Sequence, residues 1–221
     1  MKMIRMTDRI KVGGDARYCV FWLIALLILP SITGATGFTS IELPRGIGIA
    51  LPTNWFVFSE EQKQLVSLSV ESTKNILNYA EEDDERISLI MASSSTKNTY
   101  ASVQVESYIP PSESPPYIIA LNDFDLKAIK TEARTELAKG LATQGLQVLS
   151  LLEVRRNLLS GHPCLITEYT RSGPHGPVIV TVIQVFTSRQ EVIVTLSYRE
   201  SERAIWKPIM AVINKSISIR Q

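Results

Sequence analysis

The stretch Val178-Ile179-Val180-Thr181-Val182-Ile183-Gln184-Val185-Phe186-Thr187 decides the architecture. It follows the turn residues Gly176 and Pro177 and is rich in β-branched side chains. On an extended chain Val178, Val180 and Val182 fall on one side and Ile179 and Ile183 on the other. A strand that is apolar on both faces belongs inside a sheet with material packed above and below it. Gln147 to Leu152, Pro163 to Thr170 and Val192 to Tyr198 also read as sheet. Glu202 to Lys215 then reads as a closing helix with Ile205, Ile209, Val212 and Ile213 facing inward, Pro208 marking its start or a kink, and Ser216 to Ile219 as a tail.

Upstream, Asp123 caps a long helix in which Phe124, Ile129, Ala133, Leu137 and Leu141 recur near the helical period and Gly145 ends it. Ile87 to Ala92 and Ala101 to Ile109 form a hairpin across the polar stretch Ser93 to Thr99. The run Pro110-Pro111-Ser112-Glu113-Ser114-Pro115-Pro116 cannot continue a sheet, because proline has no amide proton to donate, so it is an exposed loop or an extended partner-binding segment. Gly46 to Leu51 reads as the first strand, Pro52-Thr53-Asn54 as a turn and Trp55 to Phe58 as a second strand. Ser59 with Gln62 makes a capping box for a helix from Glu60 to Ala80, whose stripe is Val66, Val70, Thr73, Leu77 and Ala80. The acidic run 81–85 is a solvated loop, since consecutive carboxylates point in different directions and do not converge on a cation. These elements predict an α+β fold: a single α/β/α sandwich with a mostly antiparallel sheet covered by helices on both faces.

Composition agrees with one folded domain. The chain has 221 residues, 45% hydrophobic and 20% charged, with 23 Lys+Arg against 22 Asp+Glu, which excludes a disordered tail, a collagen repeat and a multi-span membrane protein. Its start is different in character. Lys2, Arg5, Arg9, Lys11 and Arg17 precede an apolar run from Cys19 to Leu29, then Pro30 and small residues, the order of a secretory signal peptide. Residues 1–35 are the expected signal, 36–45 a short linker and 46–221 the domain. Cleavage after Ala35 uses Thr33 and Ala35 as the small pair, and cleavage after Gly37 is the alternative. An uncleaved anchor formed by residues 18–38 is the other reading, because that stretch is about as long as the ~20 residues a spanning helix needs. Without residues 1–35 the chain keeps 18 basic and 20 acidic residues. That balance, with Arg155-Arg156 its only adjacent basic pair, excludes the basic face a nucleic-acid binder requires.

Three stretches together resemble the superfamily of PsbP-like and DcrB-like domains, which are α/β/α sandwiches. Gly48-Ile49-Ala50-Leu51-Pro52-Thr53-Asn54-Trp55 is similar to that family's strand, Pro-x-x-Trp turn and strand. Leu158-Leu159-Ser160-Gly161-His162-Pro163-Cys164 resembles its strand, Gly-x-Pro turn and next strand, and Trp206 through Ser216-Ile217-Ser218-Ile219 its last helix and Ser-Ile close. The resemblance runs from Ile47 to Ile219; the long 60–80 helix and Cys164, where alanine is commoner, depart from it. It implies a binding or assembly accessory of the exported bacterial type and carries no family-wide catalytic residue onto this chain, because the superfamily shares a fold and no reaction.

The two histidines, His162 in a Gly-His-Pro turn and His175 in Gly173-Pro174-His175-Gly176-Pro177, read as turn residues, though either could serve as a base if a carboxylate and a cleft met it. Cys164 reads as a small buried thiol that has no disulfide partner once Cys19 leaves with the signal. No zinc-ligand spacing, dinucleotide fingerprint beyond Gly46-Ile47-Gly48, phosphate loop or nucleophile elbow occurs. Trp55 and Trp206 read as core aromatics, and Asn214-Lys215-Ser216 matches a glycosylation sequon. No catalytic, cofactor-binding or metal residue is therefore assigned, and no cofactor is expected. The expectation is an exported, periplasmic or extracellular, non-enzymatic accessory domain that binds another protein or a small ligand and takes no nucleic acid. Candidate contact surfaces are the 110–116 loop, the His175 loop and the outer side of the 60–80 helix. The alternatives are a hydrolase or lyase whose carboxylates and histidines meet only in three dimensions, and a membrane-tethered structural subunit.

Overall fold

The computed structural model describes residues 37–62, 87–94, 99–109 and 120–220. Two sheets are built from these residues, and every strand pairing is antiparallel. The smaller contains β1 (Phe38–Leu43), β2 (Ile47–Pro52) and β10 (Ser218–Ile219), in the order β1-β2-β10. The larger has seven strands: β3 (Trp55–Val57), β4 (Ile87–Ser94), β5 (Ala101–Tyr108), β6 (Val148–Leu159), β7 (His162–Arg171), β8 (Val178–Phe186) and β9 (Glu191–Arg199). Their order is β3-β4-β5-β9-β8-β7-β6, so β8 is an interior strand between β7 and β9, as its double apolar face demands. Two helices complete the described part: α1 (Asp123–Ala142) and α2 (Arg203–Ser216).

The two faces of β8 feed separate clusters. Ile179, Ile183 and Val185 join Val103, Val105, Val192 and Val194 in the main core, which also takes in Ile47, Ile49 and Leu51 of β2 and Trp206, Met210 and Ile213 of α2. Val178, Val180 and Val182, with Tyr169 and Ile193, pack instead with Ala133, Leu137 and Leu141 of α1. Trp55 and Trp206 meet edge to face in the main core, 5.9 Å between ring centres.

Several local expectations are corrected. The stretch 36–45 is not a plain linker: Phe38–Leu43 is a strand paired along its length with β2, from Phe38↔Pro52 to Leu43↔Ile47. Its alternation of Phe38, Ile41 and Leu43 with polar residues is too irregular to read as a strand without its partner. The α1 cap is Asn122, not Asp123. Its Oδ1 accepts from the Phe124 and Asp125 amides at 2.8 and 3.0 Å, while Asp125 returns a bond to the Asn122 amide. Phe124 is thereby placed on the outer side and is 79% exposed. In α2 the inward face is Trp206, Met210 and Ile213, whereas Ile205 and Val212 are 55% and 45% exposed. The helix carries apolar residues around much of its circumference, and one residue of phase, ~100° of rotation, exchanges one stripe for the other. Pro208 lies within α2. β6 runs on to Leu159 and reaches β7 through a two-residue turn, Ser160-Gly161, with both φ angles positive. This is the primed geometry that matches strand twist and favours glycine at its second position. The Ser59–Gln62 capping box forms as expected, with the Ser59 amide donating to Gln62 Oε1 at 2.9 Å. The remainder of the 60–80 helix, the acidic run 81–85 and the 110–116 loop lie outside the described residues.

Truncating Trp206 to alanine removes the largest α2 anchor and is expected to lower unfolding free energy by about 3–5 kcal/mol, against under ~0.5 kcal/mol for Phe124→Ala. Denaturant unfolding of both variants measures the difference, and equal losses would contradict the assigned helix faces.

Candidate functional site

β5 and β9 alternate cleanly. Ala101, Val103 and Val105 of β5 and Val192, Val194 and Leu196 of β9 are buried in the main core. The opposite side therefore carries Ser102, Gln104, Glu106 and Tyr108 from β5 and Glu191, Ile193, Thr195 and Ser197 from β9. The register sets these directly across from each other: Ser102↔Ser197, Gln104↔Thr195, Glu106↔Ile193 and Tyr108↔Glu191. Polar residues thus form a row down an interior strand pair. At one end Tyr108 donates its hydroxyl to the buried Glu191, which also accepts from Gln184 Nε2 at 3.3 Å. At the other end Ser102 Oγ and Ser197 Oγ are 2.7 Å apart.

The serine end opens into a cavity of about 270 Å³. Tyr100 and Arg171 complete its polar wall. The Tyr100 hydroxyl lies 3.3 Å from Ser102 Oγ and 3.2 Å from Ser197 Oγ, and Arg171 Nη2 reaches it at 3.5 Å while Nη1 donates to the Ser172 carbonyl at 2.9 Å. Gln104, Thr195 and Gln144 add further hydrogen-bonding groups, and Tyr169, Leu141 and Val180 form an apolar floor. Tyr100 is held by its backbone: its amide donates to Glu202 Oε2 at 2.9 Å and its carbonyl accepts from the Arg199 amide at 3.0 Å. Burial pushes the Tyr169 phenol up to about 12, opposed by the neighbouring Arg171 charge. Among the described residues the lining offers one guanidinium, three clustered hydroxyls and two amides, and contains no His, Cys, Asp or Glu. Such a set can orient a small ligand bearing a carboxylate or other strong acceptor against Arg171.

The residues singled out from sequence do not assemble there. His162 begins β7, and His175 is exposed in the loop beyond the far end of that strand, about 30 Å away at ~3.3 Å per residue. Neither lines the cavity. Cys164 is a buried free thiol in the main core, and burial pushes it up to about 11 despite the opposing Arg155 charge. Trp55 and Trp206 are core residues. Asn214 lies half-buried in α2 with its Oδ1 buried. Among the described residues no group of three or more His, Cys, Asp or Glu is placed to hold a metal ion. Sequence reasoning missed Tyr100, Ser102, Arg171 and Ser197. The available signal was the strict alternation of polar side chains with Ala101, Val103 and Val105, which marks a strand whose second face is not closed by an apolar layer.

A solved structure with this arrangement is the solution structure of cyanobacterial PsbP (CyanoP) from Synechocystis sp. PCC 6803. The similarity covers 85% of this chain and 95% of that one, at a TM-score of 0.51 and 12% identity. The fold is PsbP-like. The chain is also similar to LpqN of Mycobacterium tuberculosis, described as involved in cell envelope biogenesis, over 84% of this chain and 91% of that one, at a TM-score of 0.43 and 9% identity. No family model matches the sequence, and no curated protein does. The PsbP-like fold thus agrees with the expectation drawn from the Pro-x-x-Trp, Gly-x-Pro and Ser-Ile stretches.

Two consequences are measurable. Tyr169 has its phenol pKa raised from 10.0 to about 12, so the neutral form is favoured by folding. Its contribution to stability is fully present below pH 10 and lost as pH rises from 10 to 12. Denaturant titrations across that window, with tyrosinate absorbance, should show the loss, and Tyr169→Phe should flatten it. The Cys164 thiol is expected to ignore a thiol reagent at mildly alkaline pH until denaturant unfolds the chain; rapid labelling of the native protein would contradict its burial.

Proposed function

We propose that this protein is an exported, non-enzymatic accessory domain of the cell envelope or another extracytoplasmic compartment. It holds a small acceptor-rich ligand, best a carboxylate, in the Arg171–Tyr100 cavity, and presents the liganded face to a partner protein. The observation that carries the reading is the lining itself: Arg171 with the Tyr100, Ser102 and Ser197 hydroxyls, a set that binds and orients but supplies no nucleophile–base pair. The two helix-bearing clusters on either side of β8 are read as the outer layers of an α/β/α sandwich. A hydrolase or lyase would need His162 or His175 beside a carboxylate in a pocket, and the positions of both argue against it.

Export rests on the basic start and apolar run of residues 1–35, and the envelope role printed for LpqN is in keeping with it. Among the described residues no helix is long and apolar enough to cross a membrane. Cleavage after Ala35 also suits the fold better than cleavage after Gly37. The Gly37 carbonyl accepts from the Thr53 amide at 2.9 Å, just ahead of β1, and the second cut would remove it.

Intact mass of the protein recovered from native soluble and membrane fractions tests the location: a soluble species beginning at Thr36 is expected, whereas a full-length species found only in membranes would move the role to a tethered structural subunit. Native mass spectrometry of the same material tests the cavity. A small-molecule adduct is expected on the wild type and lost, with folding intact by circular dichroism, in Arg171→Gln and in Ser197→Ala. A ligand-free wild type, or an adduct indifferent to both changes, would remove the assigned site.

A further inference from the structure

A second cavity, of about 370 Å³, opens at the other end of β9. It is built where the β1–β2 connection, the β8–β9 turn and the strand β10 come together, and three arginines line it: Arg45, Arg189 and Arg220. From Glu191 beside this cavity to Ser197 in the first is six residues of extended chain, about 20 Å, so the two are separate sites.

The three cations are positioned by different means. Arg45 sits in the left-handed region at φ 61, followed by Gly46 at φ 72, a conformation that costs a non-glycine residue about 1 kcal/mol or more. A buried polar ring holds it there. Arg45 Nη1 donates to Ser107 Oγ at 3.1 Å, Ser107 Oγ donates to Gln190 Oε1 at 2.8 Å, and Gln190 Nε2 donates to the Arg45 carbonyl at 2.9 Å. Ser107 and Gln190 are 0% and 7% exposed, so these bonds form away from water and fix the arginine at the cavity wall. Arg220 is fastened by its amide, which donates to the Gly46 carbonyl at 2.9 Å, while its guanidinium shares the exposed Glu42 carboxylate at 3.0 Å. Arg189 projects from the β8–β9 turn, exposed, and its guanidinium makes no bond to any described residue.

Three arginines thus line one cavity, and among the described residues the Glu42 carboxylate paired with Arg220 offsets them, on a chain whose domain carries more acidic than basic residues. Like charges held together this way are relieved by an anion, and planar guanidinium forks match phosphate oxygens in pairs. Ile219 and the 60%-exposed Ile109 supply an apolar flank for the rest of a ligand. We propose that this cavity binds a phosphate monoester, with the phosphate between Arg45, Arg189 and Arg220 and the organic substituent against Ile109 and Ile219. The group reaches it either on a soluble phosphorylated metabolite or as the headgroup of a phosphatidate-type lipid.

Titration calorimetry of the purified chain with glycerol 3-phosphate, and sedimentation with phosphatidylcholine vesicles with and without phosphatidate, test the site and separate the two sources. Binding of the soluble ester alone assigns a metabolite; phosphatidate-dependent sedimentation assigns a lipid; either supports the site. Arg189→Glu and Arg220→Ala should each weaken binding about tenfold or more, the equivalent of losing one charge-assisted contact. Lys207→Glu, an equal charge change on α2 outside both cavities, should leave it within about twofold. Failure of both probes to bind, or equal weakening by Lys207→Glu and Arg189→Glu, would overturn the proposal without touching the Arg171 cavity.

Discussion

One carboxylate couples the parts of this fold. Glu202, just ahead of α2, accepts from Arg199 Nη1 through one oxygen and from the Tyr100 amide and Trp206 Nε1, at 2.9 and 2.8 Å, through the other. It is only 12% exposed, and hydrogen bonds to a charged group in such surroundings contribute about 1.5–3 kcal/mol each. Through Trp206 it sets the rotation of α2, and with it which residues reach the main core. Through Tyr100 it sets where the phenol stands over Ser102 and Ser197. The core on one side of the large sheet and the polar cavity on the other are therefore held to each other by a single side chain.

The large sheet does two jobs with one backbone. Around β8 both faces are apolar and both are packed, one with α2 and β2 and the other with α1. Between β5 and β9 the pattern changes to apolar on one face and mostly polar on the other, where Tyr108 and Ile193 join the cluster under α1 while Ser102, Gln104, Thr195 and Ser197 border the cavity. Ladder pairing then places each polar side chain opposite another, so hydroxyl contacts such as Ser102 with Ser197 follow from register alone. The cavity is the place where this strip meets the end of α1 and the end of β7.

Strands were legible wherever one residue in two was buried, because that period is written locally. The α+β class, the antiparallel pairing, the β4–β5 hairpin and the core placement of Trp55, Trp206 and Cys164 all follow from such patterns. Helix faces were not, since Ile205, Trp206, Ile209, Met210, Val212 and Ile213 leave more than one plausible stripe, and the choice is made by Trp55 and Glu202 from elsewhere. The cap shifted by one residue for a similar reason: Asn122 and Asp123 are both good caps, and only Asn122 has an acidic residue three places on to return the bond. The cavity was least legible. Arg171 and Tyr100 are 71 residues apart, and Tyr100 with Ser197 97, so no local spacing announces them.

The small sheet has a kinetic meaning. Its middle strand, β2, pairs on one side with its immediate predecessor and on the other with Ser218–Ile219, and the Ala50 amide finds its acceptor in Ser216, 166 positions later. Contacts of such high order close large loops before they are rewarded. As the chain is synthesised, β2 therefore keeps an open edge until Ser218–Ile219 has emerged, and during that interval the edge is exposed to pairing with other chains. A polypeptide built this way completes its native state late. That delay makes Ser216, Ser218 and Ile219 a condition for finishing the fold.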